Sequence, residues 1–258
     1  MKNQFFGDKH DYFKYDLWLQ IAEAKRTKNL TFIPMLTPND TTKEGGRVSY
    51  SEGRRRKRLY GFLQFCLVPK RRSITRLREF FCDEPFEYHP YRDDDDKGFQ
   101  EGSWDAYFKA VPREWLCDAA ILIDPDTGLE TKTDFWKRHP QKHITYRNIA
   151  DLIGRCSGSS AVVVFQFLQK LASQREPDLN ERSERLHETL GSAEPNPGSV
   201  HWIAEKTSNG LGELAFFVLG VGAEGSTGLA GILEDYAEVH GLRVGGTSTI
   251  SLASAAFS

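Results

Sequence analysis

The sequence of 258 residues lacks the features that mark several specialised classes of protein. No stretch approaches the roughly 20 apolar residues that a membrane-spanning helix needs, and the first residues, MKNQFFGDKHDYFKYD, are too polar for a secretory signal. None of the four cysteines forms a CxxC pair or a cluster with histidine. A disulfide framework and a structural zinc site are therefore not expected, and the sequence predicts a cytoplasmic protein with no membrane partner.

A net charge of one sign is also missing, because the formal net charge is only -2 at pH 7. With 39% hydrophobic residues, 27% charged residues and a mean hydropathy of -0.51, the composition is typical of a globular chain. The charge is unevenly distributed, with basic blocks at 54–58 and 70–72 and an acidic block at 93–96. Any attraction to nucleic acid has to come from such a local patch.

Two mainly apolar runs, at 119–123 and at 161–167 with Gln166 as its polar residue, are typical of strands buried on both faces of a parallel sheet. Helices are predicted around them at 11–25, 51–67, 73–81, 104–111, 146–155, 178–190 and 228–240. The turn signal Asn209-Gly210 predicts an antiparallel hairpin towards the C-terminus. We therefore predict an α/β fold: a mostly parallel twisted sheet that ends in an antiparallel hairpin, with helices on both faces.

The chain is long enough for one sizeable core, and we predict a single α/β domain over residues 1–244. A basic helical insertion is expected in it at about 51–82. The early helix at 11–25 has apolar residues at helical spacing and is expected to be amphipathic. The last residues, 245–258, are small and weakly patterned, which predicts either an edge strand or a loose tail.

Two carboxylates directly follow the first buried run, since Asp124 and Asp126 lie on either side of Pro125. Pro125 removes a backbone donor and Gly128 permits a positive φ, so the strand is expected to end at this turn. Ligands of open α/β sheets collect at the carboxyl ends of strands, which makes these carboxylates candidates for catalysis. The alternative is a turn whose aspartates bond only to their own backbone.

A second polar group lies near the start of the chain, where Gly7, Asp11 and Lys14 have the spacing G-x-x-x-D-x-x-K. This spacing, the strand that follows it and the Asp124-Pro125 pair resemble the large-subunit ribosomal RNA adenine-N6 methyltransferases, which carry a D-P-P-Y motif at a strand end. The order of elements is similar over most of the chain. The resemblance implies a Rossmann-like fold, a nucleic-acid substrate and S-adenosylmethionine as the cofactor.

The resemblance also implies a role for each residue of these motifs. Asp124 would orient the amino group that is methylated, and Pro125 would offer it a backbone carbonyl, with Asp126 at the same reacting end. Gly7, Asp11 and Lys14 would lie near the cofactor. Such acceptors are needed because an exocyclic amine is a weak nucleophile whose lone pair must be aligned with the methyl group.

Two further functions are compatible with the same sequence. Asp124, Asp126, Glu130 and Lys132 contain the E-x-K half of a restriction-nuclease motif, and the three carboxylates could hold Mg²⁺ in a metal-dependent nuclease. The chain also has no glycine-rich turn after its first strand, and Thr127 stands where D-P-P-Y has its tyrosine. These absences favour a non-catalytic interaction protein on a decayed methyltransferase-like scaffold.

The local excess of positive charge gives a candidate surface for nucleic acid. Ten basic residues fall between positions 54 and 78. The residues predicted to contact phosphates are Arg54, Arg55, Arg58, Arg71 and Arg72. A helix face that is simply solvated explains the same pattern without a partner, so both interpretations stay open.

Overall fold

A computed structural model of the chain describes residues 1–39, 48, 56–68, 71–94, 104–131, 140–168, 171–191 and 197–249. The predicted site residues Arg54, Arg55 and Lys132 lie outside the described residues, as does the end of the chain after position 249. No helix in the described part is long and apolar enough to cross a bilayer.

The described residues form eight α-helices and nine β-strands. The helices are α1 (Lys9–Lys25), α2 (Lys57–Cys66), α3 (Leu77–Phe81), α4 (Trp104–Lys109), α5 (Tyr146–Ile153), α6 (Ala172–Leu190), α7 (Gly222–Ser226) and α8 (Leu229–His240). The strands are β1 (Asn29–Pro34), β2 (Glu87–Pro90), β3 (Ala119–Asp124), β4 (Gly128–Leu129), β5 (His143–Ile144), β6 (Ala161–Phe167), β7 (Pro197–Thr207), β8 (Gly210–Val221) and β9 (Leu242–Thr249).

Seven of these strands form one sheet in the order β2-β1-β3-β6-β8-β7-β9. β2, β1, β3 and β6 are parallel, whereas β6 pairs with β8, β8 with β7, and β7 with β9 in antiparallel register. The short strands β4 and β5 pair with each other. The predicted α/β fold with a C-terminal antiparallel hairpin is confirmed, and β9 extends the antiparallel part by one edge strand.

Helices cover both faces of the sheet, as predicted, and β3 shows how the sequence divides between them. Ile121 and Ile123 belong to a core shared with α4, α5 and α6. Ala120 and Leu122 belong to a second core shared with α1, α2, α3 and α8. Because side chains alternate along a strand, Asp124 at the end of β3 lies on the same face as Leu122, towards α1.

α1 is buried on almost every side, which corrects the prediction of an amphipathic helix. Its N-terminus is capped by Asp8, whose side chain accepts hydrogen bonds from the backbone N–H groups of His10 and Asp11. One side of α1 contacts β3 and β6, and α2 and α8 contact it from other parts of the chain. The polar residues of α1 are therefore enclosed, and they need partners inside the protein.

The C-terminal hairpin is tighter than its sequence suggested. β7 and β8 continue to a turn at Ser208 and Asn209, so the strands are longer than the apolar runs that predicted them. β9 pairs with β7 at the edge of the sheet. β9 runs from Leu242 to Thr249, so the predicted boundary between residues 244 and 245 falls within a strand.

The connection order reverses at β1, since the chain passes from β1 to β2 on one side and to β3 on the other. Open α/β sheets bind ligands in the crevice outside such a switch point. Here the first residues cover the end of β1: the amino group of Met1 donates to the carbonyl of Met35 at 3.0 Å, and the N–H of Thr37 donates to the carbonyl of Met1 at 2.8 Å. The open space lies beside them, at β3 and β6.

Candidate functional site

A cleft of about 180 Å³ lies at the carboxyl ends of β3 and β6, beside the first turns of α1. Five of the six residues predicted for catalysis and cofactor binding line it: Asp11, Lys14, Asp124, Pro125 and Asp126. The structure therefore brings the two sequence motifs together, while the roles of their residues stay predictions.

Lys14 joins α1 to the end of β3. Its Nζ donates to Asp11 Oδ1 at 2.8 Å and to Asp124 Oδ2 at 2.7 Å. Asp11 is one helical turn away, whereas Asp124 is 110 residues further along the chain. All three side chains are buried, and the Lys14 ammonium also lies 4.8 Å from the ring centroid of Phe165. The lysine thus fixes the first turns of α1 against the strand end.

Burial and charge pairing oppose each other in this cluster. Burial raises the pKa of Asp124, and the attraction of Lys14 offsets only part of that rise. The pKa values of Asp8 and Asp11 lie above their ordinary values for the same reason. Desolvation lowers the pKa of Lys14, but Asp11 and Asp124 raise it by more, so that it lies above its ordinary value. This side of the cleft therefore combines a Lys14 ammonium that keeps its proton with carboxyl groups whose pKa values are raised.

Asp126 faces a different set of charges. The amino group of Met1 lies 3.4 Å from its carboxylate, Lys2 Nζ lies at 3.6 Å and Lys142 Nζ at 3.7 Å. Burial raises the pKa of Asp126, but these three cations outweigh it, and the pKa lies below its ordinary value. Asp126 is therefore an ionised anchor for the N-terminal segment, which is a structural role that its sequence position did not suggest.

Gly7 does not line the cleft, and it acts through the backbone. Its φ is +93°, and a Cβ at this position would lie 3.0 Å from the carbonyl oxygen of Leu63 in α2. Its N–H donates to Asp11 Oδ2 at 2.8 Å. Gly7 therefore holds the Asp11 carboxylate through its backbone N–H and lets the chain pass close to α2. The resemblance had instead suggested a place for Gly7 near the cofactor.

Two aromatic side chains that the sequence analysis did not select, Phe165 and Phe167, form part of the lining. The alternation along β6 contains a signal for them, because Val163 is in the core on the α1 side and both phenylalanines share its parity. Gln166, between them, instead accepts a hydrogen bond from the N–H of Leu129 at 2.9 Å. Lys2, Phe5 and Glu213 also line the cleft, and no local pattern pointed to them.

The acidic cluster expected for a magnesium-dependent nuclease is not assembled here. Glu130 Oε1 accepts the backbone N–H of Tyr146 at the start of α5, at 3.0 Å. Asp124 pairs with Lys14, and Asp126 pairs with the cations around Met1. In the described parts of the chain, no group of three or more His, Cys, Asp or Glu side chains is arranged to hold a metal ion.

The predicted phosphate contacts differ in what surrounds them. Arg58 donates to Glu84 and to Asp83, both at 2.8 Å, so its charge is already neutralised. Arg72 donates to the carbonyl of Gln4 at 2.6 Å, and the guanidinium of Arg71 lies over the ring of Phe65. Within the described residues, neither Arg71 nor Arg72 makes an ion pair with a carboxylate.

Comparisons of the chain with known proteins show a likeness of fold alone. No family model matches the chain. No curated protein matches it either. The fold is similar to that of protein LPL1258 from Legionella pneumophila, of the family model DUF519, with a TM-score of 0.43 and 13% sequence identity. The match covers 94% of this chain and 98% of that chain.

Proposed function

We propose that this protein transfers a methyl group from S-adenosylmethionine to an amino group of a nucleic-acid base, at the carboxyl end of β3. The observation that carries the proposal is the contact between Lys14 and Asp124, at 2.7 Å. It brings the motif that contains Asp11 and Lys14 to the Asp124-Pro125 pair, on one cleft. These are the two motifs through which the sequence resembles the ribosomal RNA adenine-N6 methyltransferases.

The charge of the cleft suits S-adenosylmethionine, whose sulfonium and amino groups are cationic. Five carboxyl groups line the cleft, on Asp8, Asp11, Asp124, Asp126 and Glu213, and they outnumber the ammonium groups of Met1, Lys2 and Lys14. Met1 and Lys2 lie at Asp126, away from Asp8 and Asp11. Asp8 and Asp11 are therefore the residues that would hold the cationic part of the cofactor. When bound, this cofactor supplies an activated methyl group.

The end of β3 and the end of β6 provide the groups that a base requires. Asp124 and the carbonyl of Pro125 are acceptors for an exocyclic amine, and Lys14 holds the carboxylate of Asp124 in a fixed orientation. The burial-raised pKa of Asp124 lets its carboxylate take the proton that the amine loses. Phe167, which is only partly buried, offers the aromatic face that the turn itself lacks, so a flipped base can stack at the end of β6.

Calorimetric titration with S-adenosylmethionine tests the cofactor. We expect binding to the wild-type protein, and about tenfold weaker binding to Asp11→Asn, which keeps the shape of the side chain and removes its charge. Asp83→Asn is the matched control, because Asp83 pairs with Arg58 at the surface, and it should bind as the wild type does. No detectable heat with the wild-type protein at millimolar cofactor would contradict the proposal.

A further inference from the structure

Away from the cleft, α2 presents an exposed aromatic ring between arginines. Phe65 is 49% exposed, and the guanidinium carbon of Arg71 lies 3.9 Å from its ring centroid. The guanidinium of Arg76 lies 5.6 Å from the same centroid. Arg72 follows Arg71 directly in the chain. We name the surface formed by Phe65, Arg71 and Arg72 the Phe65 platform.

Two of the arginines around Phe65 form no ion pair with a carboxylate in the described part of the chain. Arg71 stacks on Phe65, and Arg72 is held by the backbone carbonyls of Gln4 and Leu67. Arg76, in contrast, is paired with Glu79 at 2.8 Å. A flat apolar ring beside two such cations is complementary to a single-stranded nucleic acid, whose bases stack and whose phosphates are anionic.

The platform is also connected to the cleft through the N-terminal segment. Arg72 Nη1 donates to the carbonyl of Gln4 at 2.6 Å, and the N–H of Ile74 donates to Asn3 Oδ1 at 3.0 Å. Their chain neighbours Lys2 and Phe5 line the cleft. A single strand that places one base in the cleft would therefore pass the Phe65 platform where the strand leaves the cleft.

We propose that the Phe65 platform binds the nucleotides that flank the target base of a single strand. An unpaired base stacks on the pair formed by Phe65 and Arg71, while Arg71 and Arg72 contact the adjoining phosphates. The inference rests on the proposed function, because it takes the acceptor in the cleft to be a base of the same strand. A duplex does not fit this arrangement, since its bases are already paired and stacked.

Fluorescence anisotropy with short fluorescein-labelled oligouridine tests the platform. We expect Phe65→Ala to weaken binding about tenfold and Phe65→Trp to bind as the wild type does, because any large aromatic ring can stack on a base. Arg71→Ala and Arg72→Ala should each lower the slope of log affinity against log salt by about 0.7. Leu171→Ala is the control, since Leu171 is 72% exposed next to α6 and should leave binding unchanged.

Equal affinity of the wild type and Phe65→Ala, or no measurable binding by the wild type, would overturn the inference. Displacement of the oligouridine by polyglutamate at equal charge concentration would overturn it too, because it would identify a surface for acidic polypeptides. Thermal melting of each variant separates these outcomes from loss of the fold. The proposed function is tested separately. RNA binding that depends on Phe65, without heat from S-adenosylmethionine, would support the Phe65 platform and contradict the methyl-transfer proposal.

Discussion

At the scale of single residues, the cluster of Asp11, Lys14 and Asp124 combines a large desolvation penalty with two charge-assisted hydrogen bonds. Lys14 is central, because it is the shared partner of both carboxylates. Removing it leaves two negative charges in a buried place, where their mutual repulsion is only weakly screened. The stability of the cluster should therefore depend on pH as well as on the lysine itself.

We predict that Lys14→Met lowers the free energy of unfolding by about 3–5 kcal/mol at about pH 8, and by less at about pH 5. Burial already raises the pKa values of Asp11 and Asp124 in the folded state, and losing Lys14 raises them further. An acid with a raised folded pKa binds protons more tightly in the folded state, so stability recovers as the pH falls. Urea unfolding at the two pH values measures this difference.

The matched control for that experiment is Lys28→Met. Lys28 pairs with Glu87 at 3.1 Å, but both side chains are exposed. The change should stay within about 0.5 kcal/mol at either pH, because exposed ion pairs contribute little. A deficit in Lys14→Met that is the same at both pH values would show that its carboxylate partners do not titrate as described.

The contribution of Asp126 to the free energy of unfolding should depend on pH in the opposite direction. Its folded pKa lies below the ordinary value of 3.8, so the group stabilises the protein above that value, and this contribution is lost as the pH falls through the folded pKa. We predict that Asp126→Asn lowers the free energy of unfolding by about 1–3 kcal/mol at neutral pH. In guanidinium titrations the difference from the wild type should shrink as the pH falls below 3.8, because Asp126 then becomes protonated in the folded protein as well. A difference that stays constant as the pH falls would refute the charge explanation.

At the scale of helices and strands, Asp16 connects three helices at a second buried point. Its Oδ1 lies 3.0 Å from Nε of Arg56, the residue before α2, and its Oδ2 accepts the hydroxyl of Tyr236 in α8 at 2.9 Å. His240 Nε2, at the end of α8, lies 3.2 Å from the same oxygen. Asp16 thus holds the two helices that enclose α1.

We predict that Asp16→Asn destabilises the protein by about 2–4 kcal/mol, because it leaves Arg56 without its buried partner. Glu23→Gln is the matched control: Glu23 also pairs with Arg56, at 2.6 Å, but it is exposed, and its loss should change stability by less than about 1 kcal/mol. Chemical denaturation of both variants compares the two partners of one arginine. Equal effects would show that Asp16 does not hold these helices together.

The helices also show how far the sequence predicts the fold. The spacing of apolar residues located α1 well, but it could not reveal that α2 and α8 enclose the outer side, since those contacts are long-range. α6 begins at Ala172, ahead of the predicted start at 178, with Pro177 inside it. Burial of Leu179 and Leu186 there outweighs the single backbone hydrogen bond that a proline removes.

The candidate site could also be predicted only in part, because some of its residues are brought together by long-range contacts. Asp124 and Pro125 were visible because a buried strand must stop at such a turn, and Asp11 and Lys14 because of their motif. Phe167 could have been found from the alternation of β6. Glu213 could not, because its place at the cleft depends on how β8 pairs with β6, far along the chain from α1.

At the scale of the whole molecule, the strand order decides where chemistry can take place. The switch in connection order at β1 creates a crevice, and the N-terminal segment covers its β1 side. What stays open is bounded by α1, the end of β3 and the end of β6. A cofactor held by Asp8 and Asp11 and a base held by Asp124 would meet in that space, with the Phe65 platform outside it.

Transfer of a labelled methyl group from S-adenosylmethionine to single-stranded RNA or DNA is the decisive test of methyl transfer at the end of β3. We expect label on the nucleic acid with the wild-type protein, and a rate lowered by about a hundredfold or more in Asp124→Asn, which keeps the side-chain shape but loses the charged acceptor. The control Asp83→Asn should transfer label at the wild-type rate. No label with the wild-type protein, or equal label with Asp124→Asn, would show that Asp124 is not the acceptor at a methyl-transfer site.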